Sequence, residues 1–241
     1  TTASGVVEAG PVTLAGSTVR VLASSNYATG FGIAGQNVRV TDSNVTLFAP
    51  AVVNALVIRD TASSSIPTGI EGAALTVTSG AIVVVSDSAG DELYINSAIA
   101  FGGAEGVIHT APAVVGHASL TLRGAVSGTG GLTKSGGGSL RIESASSAFT
   151  GPVTVTGGQL VVTGSIGSST PGPLGSSVDP VVINAGAGAE YVALRLATPL
   201  SSFARPIVIR QVFGSGDNAL LGTAGGFGSI FARRRLTRSR P

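Results

Sequence analysis

Short runs in which apolar residues recur at every second position, each closed by Gly, Ser, Asn or Asp, constrain this chain more than any other feature. Val12 and Leu14, Val19 and Val21, Val38 and Val40, Val45 and Leu47, Leu75 and Val77, Leu120 and Leu122, Leu140 and Ile142, and Val153 and Val155 all follow the rule. A spacing of two puts both members of a pair on one face of a strand, and the residues between runs are those of turns and corners. Even the most helix-like stretch, 190–196, alternates, with Val192, Leu194 and Leu196 set against Tyr191, Ala193 and Arg195. The expected fold class is all-β.

The runs also repeat. LTVTSGAIVVV from Leu75 aligns without a gap on VTVTGGQLVVT from Val153, with six identities in eleven positions. Looser copies, VTLAGSTVRVL from Val12 and VRVTDSNVTLF from Val38, are separated by a third of that offset. A strand, turn, strand unit recurring at about 26 residues suits a solenoid, because one unit cannot bury its apolar face until a neighbour stacks on it. Two architectures are compatible with the runs themselves. Gly157-Gly158 as a two-residue hairpin turn gives an antiparallel meander or β-sandwich; as the corner of a coil it gives a parallel β-helix. The β-helix also accounts for the period, the few aromatics and the recurrent Val, Thr and Gly. Residues 1–232 are expected to form one such segment. About ten coils of roughly 20 to 26 residues, ~4.8 Å apart, would make a rod on the order of 50 Å long, with open ends that need covering.

Composition narrows the function classes. Among 241 residues there are 36 Gly, no Cys, Met or Trp, and 11% charged residues. Lys134 is the single lysine, so the polar surface is made of Ser, Thr, Asn and Gly rather than the Lys and Glu that furnish helices. With 43% hydrophobic residues the chain can offset the entropy of ordering, unlike a Gly/Ser linker. The absence of cysteine excludes a disulfide framework, a thiolate metal site and a cysteine nucleophile, and fits export through an oxidising compartment. No apolar stretch approaches the ~18 residues of a membrane helix, and residues 1–10 carry no basic region followed by an apolar run. The chain reads as a mature or excised portion of a larger protein. Its formal charge of +2 comes from Arg233, Arg234, Arg235, Arg238 and Arg240. Without them nine basic residues face twelve acidic ones. The stretch 233–241 has no interleaved aromatics, so it is read as a solvated or fragment-end tail and not as a nucleic-acid site.

Between Gly124 and Val162 the chain reads GAVSGTGGLTKSGGGSLRIESASSAFTGPVTVTGGQLVV. This resembles the autotransporter-associated β-strand repeat of large bacterial surface proteins, in which a GSGGLTKxGxGxLxL element is followed by a YTGxTxVxxGxLxV element. The two elements correspond here to 128–142 and 149–162, about forty residues in all. Phe149 replaces the usual Tyr, Arg141 stands between Leu140 and Ile142, and 144–148 is rich in Ser and Ala where an Asn-containing turn is common. The positions that carry the likeness are Gly128, Gly130, Gly131, Leu132, Lys134, Gly138, Leu140, Phe149, Gly151, Val155, Gly158 and Leu160. The resemblance implies a right-handed β-helix passenger segment displayed outside the cell, with a translocating β-barrel elsewhere in the polypeptide. Read physically, the glycines allow corners of positive φ and close backbone approach, while Leu132, Leu140, Ile142, Val153, Val155, Leu160 and Val162 supply inward side chains.

Chemical motifs are sparse. Residues 128–135, GTGGLTKS, come near the phosphate loop G-x-x-x-x-G-K-[ST], but Thr133 stands where Gly is needed and 135–139, SGGGS, is a poor start for the helix that must follow. Residues 214–217, GSGD, lack the spacing and tandem copies of calcium-binding nonapeptides. Asp87, Asp91 and Glu92 could ligate a hard cation, though a solvated loop explains them as well. His109 and His117 are the only histidines, and no G-x-S-x-G elbow accompanies them. Sugar hydrolysis needs paired carboxylates. The candidates Asp42, Asp60, Glu71, Asp87, Asp91, Glu92 and Glu105 are thinly spread, although stacked coils of that period would bring Asp60 near Asp87.

The expected function is therefore structural or adhesive: a secreted or outer-surface β-helix segment with no catalysis, no cofactor and no metal. Its expected partner is a surface ligand such as a glycan, a matrix protein or a neighbouring cell, with no nucleic acid and no membrane insertion. A carbohydrate-active β-helix enzyme and a repeat that assists passenger export and folding are the alternatives.

Overall fold

The computed structural model describes residues 12–15, 18–21, 24–61, 67–87, 92–111, 118–185, 192–197, 203–211, 219–223 and 230–231. Parallel strands from successive coils build three sheets, as the solenoid reading requires, and the antiparallel sandwich does not form. The first sheet takes one strand from each of eight coils: Asn37–Thr41, Ala55–Asp60, Ala81–Ser86, Gly106–Thr110, Leu132–Ser135, Val153–Val155, Val181–Ala185 and Ile207–Gln211. These are referred to as coils 1 to 8. The second sheet follows the same order with Asn44–Leu47, Gly69–Gly72, Glu92–Ile95, Ser119–Leu122, Ser139–Ile142, Gly158–Val162, Val192–Leu196 and Ala219–Thr223. The third holds Ala51–Val53, Leu75–Val77, Ile99–Ala100 and Val126–Ser127.

Register partners in the first sheet run Val38, Leu56, Ile82, Ile108, Lys134, Val155, Ile183 and Ile209. The interval from Leu56 to Ile82 recurs from Ile82 to Ile108, from Ile108 to Lys134 and from Ile183 to Ile209. It is the commonest coil length and equals the period read from the repeats, about 26 residues. Seven steps of ~4.8 Å give a stack of about 34 Å. Among the described residues that is shorter than the ten-coil rod expected, partly because the first repeat copy is not a coil: Val12–Ala15 and Thr18–Val21 pair antiparallel as a hairpin. At the other end Ile230–Phe231 pairs antiparallel with Ala219–Thr223, so parallel stacking stops there.

Alternation places the core. Leu93, Leu120, Leu140, Leu160 and Leu194 stack in register on the second sheet, all buried. Beside them run Ile95, Leu122, Ile142, Val162 and Leu196. These ladders form one apolar cluster with the inward residues of the first sheet and with Val53, Leu75, Val77, Ile99 and Val126 of the third. Fully burying each such side chain contributes ~1.5–3 kcal/mol.

The best internal repeat has a different meaning in three dimensions. Leu75–Val77 lies on the third sheet and Val153–Val155 on the first, so the two segments are not equivalent positions of different coils. What they share is a corner. Gly80 and Gly158 both have positive φ, +74° and +65°. Two residues before each glycine, Thr78 and Thr156 donate both backbone N–H and side-chain hydroxyl to one carbonyl of the preceding coil, Val53 and Lys134 respectively. Thr129 and Thr163 do the same to Gly102 and Ile142. These threonines are inter-coil fasteners.

Candidate functional site

The most chemically unusual place in the described residues is the corner between the first and second sheets at coils 4 to 6. Alternation in Leu132–Ser135 turns Leu132 and Lys134 inward, so Lys134 occupies the ladder position that Ile108 fills in the coil before and Val155 in the coil after. Its side chain is fully buried. Its Nζ donates to the main-chain carbonyls of Ser135, Gly136 and Gly157 at 2.7, 2.9 and 3.0 Å. Burial pushes the amine down to about 7. The three carbonyls act in the opposite sense, since only the ammonium form has three N–H donors to satisfy them.

The glycines around this corner are sites of close approach. A Cβ on Gly131 (φ +92°) would sit 2.5 Å from the Pro152 carbonyl oxygen, and one on Gly158 would sit 2.1 Å from that of Gly138. A Cβ on Gly130, Gly138 or Gly151 would likewise stand 2.4, 2.3 or 2.3 Å from the backbone of Ala104, Ala118 or Gly131. Gly128, φ +152°, opens the turn into coil 5. Leu132, Leu140, Val155 and Leu160 are buried ladder members, and Phe149 is buried on the third side, with Gly175 against its ring. Below the corner, His109 Nδ1 lies 3.2 Å from the Ser135 hydroxyl. Burial holds His109 below its usual range and the Lys134 charge lowers it further. Thr110 Oγ1 is buried in the same place with no hydrogen-bond partner among the described residues.

A second buried cation escaped the sequence reading. Arg205 is 3% exposed; its Nε and Nη2 donate to the Asp179 carbonyl at 2.9 and 2.6 Å, and its Nη1 donates to the Leu174 carbonyl. Burial lowers its pKa, while the charge of Asp179 acts against this. The only sequence signal was a basic residue inside an otherwise apolar and Ser-rich stretch. For Lys134 the signal was sharper, because it alternates with Leu132.

The acidic candidates are spread over separate contacts. Coil register does place Asp87 beside Asp60, with the Asp87 N–H on the Asp60 carbonyl at 2.9 Å. Of the two carboxylates, Asp60 is buried and accepts from the Thr68 hydroxyl at 3.4 Å, whereas the half-buried Asp87 pairs with Arg59 at 3.0 Å. Asp42 accepts from the Thr61 N–H and hydroxyl, Glu71 from Asn44 and Thr46, and Glu105 from Thr133. Each of these last bonds crosses from one coil to the next. No group of three or more His, Asp or Glu residues able to hold a metal occurs among the described residues. The phosphate-loop-like segment ends in the strand Leu132–Ser135 and is followed by the strand Ser139–Ile142, not by a helix, and Lys134 points into the core. His117, Asp91, the GSGD segment 214–217 and the tail 233–241 lie outside the described residues, as does the side chain of Glu92.

Outside the core, just past the strand Ser119–Leu122, Arg123 lies over the Tyr94 ring at 5.4 Å, with Arg123 and Arg141 both on Glu143 at 3.4 and 3.9 Å. Two coils beyond Arg141, Arg195 donates to Gln159 at 3.3 Å. At the edge of coil 1, Phe48 is 96% exposed beside a shallow groove lined by Gly30, Phe31, Leu47 and Pro50. No helix among the described residues is long and apolar enough to cross a membrane. No known family matches this chain, and neither a curated protein nor a solved structure matches it significantly.

Proposed function

We propose that the chain is a structural and adhesive β-helix segment of a secreted or outer-surface bacterial protein, an autotransporter-type passenger repeat whose work is display and not catalysis. The observation that carries this reading is the unbroken register from Val38 to Ile209, in which each inner strand of the first sheet pairs with the coil before and the coil after. A stack of that kind is a spacer that also repeats its outer side chains at ~4.8 Å. Such rows suit an extended partner, and the face of the second sheet that carries Tyr94, Arg141 and Arg195, with Arg123 beside it, offers an aromatic ring and guanidinium groups to a glycan or an acidic protein segment. The carboxylates of Asp42, Glu71, Asp87 and Glu105 favour this reading over the carbohydrate-active enzyme, because their contacts fasten coils together.

The same stacking supports a contribution to export. Coils that contact only their neighbours can fold in chain order, so each coil emerging at a surface adds to the last and opposes retreat. The test is protease treatment of intact cells of the native organism, with an antibody against this segment. Cleavage from intact cells, or release into the medium, supports the displayed rod and directs binding assays to glycans and matrix proteins. Protection until lysis would remove the surface location and reopen the enzymatic reading.

A further inference from the structure

A buried ammonium persists only where acceptors replace its water. At coils 5 and 6 the replacement is made of main chain alone. The corner 135–138, Ser-Gly-Gly-Gly, lies directly under the corner Gly157-Gly158, close enough that a Cβ on Gly157 would stand 3.1 Å from the Gly136 carbonyl oxygen. These glycine-rich corners turn three carbonyls toward one point, those of Ser135 and Gly136 in coil 5 and that of Gly157 in coil 6. The coil that leads from Lys134 to its register partner Val155 is also shorter than the one that leads from Ile108 to Lys134. Arg205 shows the same chemistry at another site, its guanidinium on the Leu174 and Asp179 carbonyls.

We propose that the stacked glycine corners form a cation seat of three main-chain carbonyls, selective for a small hydrogen-bonding ammonium, which Lys134 fills from within and so locks coil 5 to coil 6. The aliphatic residues in the equivalent ladder positions, Ile108 and Val155, have no group that could make these bonds. Three converging carbonyls select by donor geometry: an alkylammonium presents three N–H groups, whereas a quaternary ammonium of equal charge presents none. The seat belongs to the coil stack and does not depend on what the rod displays or where it is located.

Because Lys134 is the only lysine, one experiment isolates it. In protein labelled with lysine bearing 15N at Nζ, at pH 6, the expected result is a single ammonium signal whose protons are protected from exchange with water. A rapidly exchanging signal, like that of a solvated lysine, would overturn the seat. A second measurement asks about selectivity. Lys134→Ala should lower the urea midpoint by roughly 1 M, and methylammonium chloride should restore a substantial part of that loss while tetramethylammonium chloride at equal ionic strength should not. Equal effects of the two salts would overturn it. Should Lys134→Ala fail to fold, the spectrum of the parent protein decides the matter.

Discussion

At the residue scale, Lys134 makes stability depend on pH with a definite sign. Its folded-state pKa, about 7, lies below the ordinary value of 10.5. Between those limits the unfolded chain holds a proton that the folded chain does not, so stability rises with pH across the window and falls as pH drops toward 7. His109, also lowered, adds a further loss as pH falls below 6.5. The effect of Lys134 is on the order of a few kcal/mol, and urea unfolding at pH 7 and pH 9.5 should show it. In Lys134→Met the slope should vanish; a slope that survives would assign it to other groups. Glycine geometry gives an independent prediction. Val at position 158 must adopt φ near +65° and meets the Gly138 carbonyl, so Gly158→Val should cost about 2 kcal/mol or more, read as a drop in the thermal midpoint. Gly131→Val should behave alike, and unchanged midpoints in both would show that the corners can rearrange.

At the scale of the element, the leucine ladder of the second sheet is the apolar spine. Leu140 is fully buried between Leu120 and Leu160, so Leu140→Ala removes contacts in three coils at once and should destabilise by ~2–5 kcal/mol in denaturant titration. A cost well below that range would mean that the neighbouring coils collapse into the space. The corners are elements in their own right. The pattern T-x-G joins strands on different sheets by one device: a threonine fastened to the carbonyl of the previous coil, then a glycine of positive φ. This explains why the best internal match in the sequence aligns the third sheet with the first. The match detects a shared corner, and the period it suggested is nevertheless the commonest step between coils.

At the scale of the whole molecule, stability is distributed along one axis. Each coil touches its neighbours, so hydrogen-exchange protection should be greatest in coils 3 to 6 and decline toward both ends. Equal protection throughout would instead indicate a single cooperative unit. Leu56→Ala and Leu194→Ala, which lie in coils 2 and 7, should add within about 0.5 kcal/mol. Antiparallel pairs occur between 12–15 and 18–21, and between 230–231 and the second-sheet strand Ala219–Thr223.

Much of this architecture was legible in the chain because its causes are local. Alternation sets which side chain faces inward within a strand, glycine and threonine mark corners, and the interval between runs gives the coil length. Alternation even turns Lys134 inward, since it stands two positions from Leu132. The sequence by itself therefore determined an all-β solenoid, its coil period and a core of aliphatic ladders. Tertiary structure decided which sheet each run joins, because every corner resets the phase of the alternation. It decided that the first repeat copy is a hairpin, and it buried Asp60 while leaving its neighbour Asp87 half-buried on Arg59. Above all it decided that lysine is tolerable in an aliphatic ladder. The third carbonyl on its ammonium comes from Gly157, 23 residues further along the chain, and reaches it only when coil 6 stacks on coil 5.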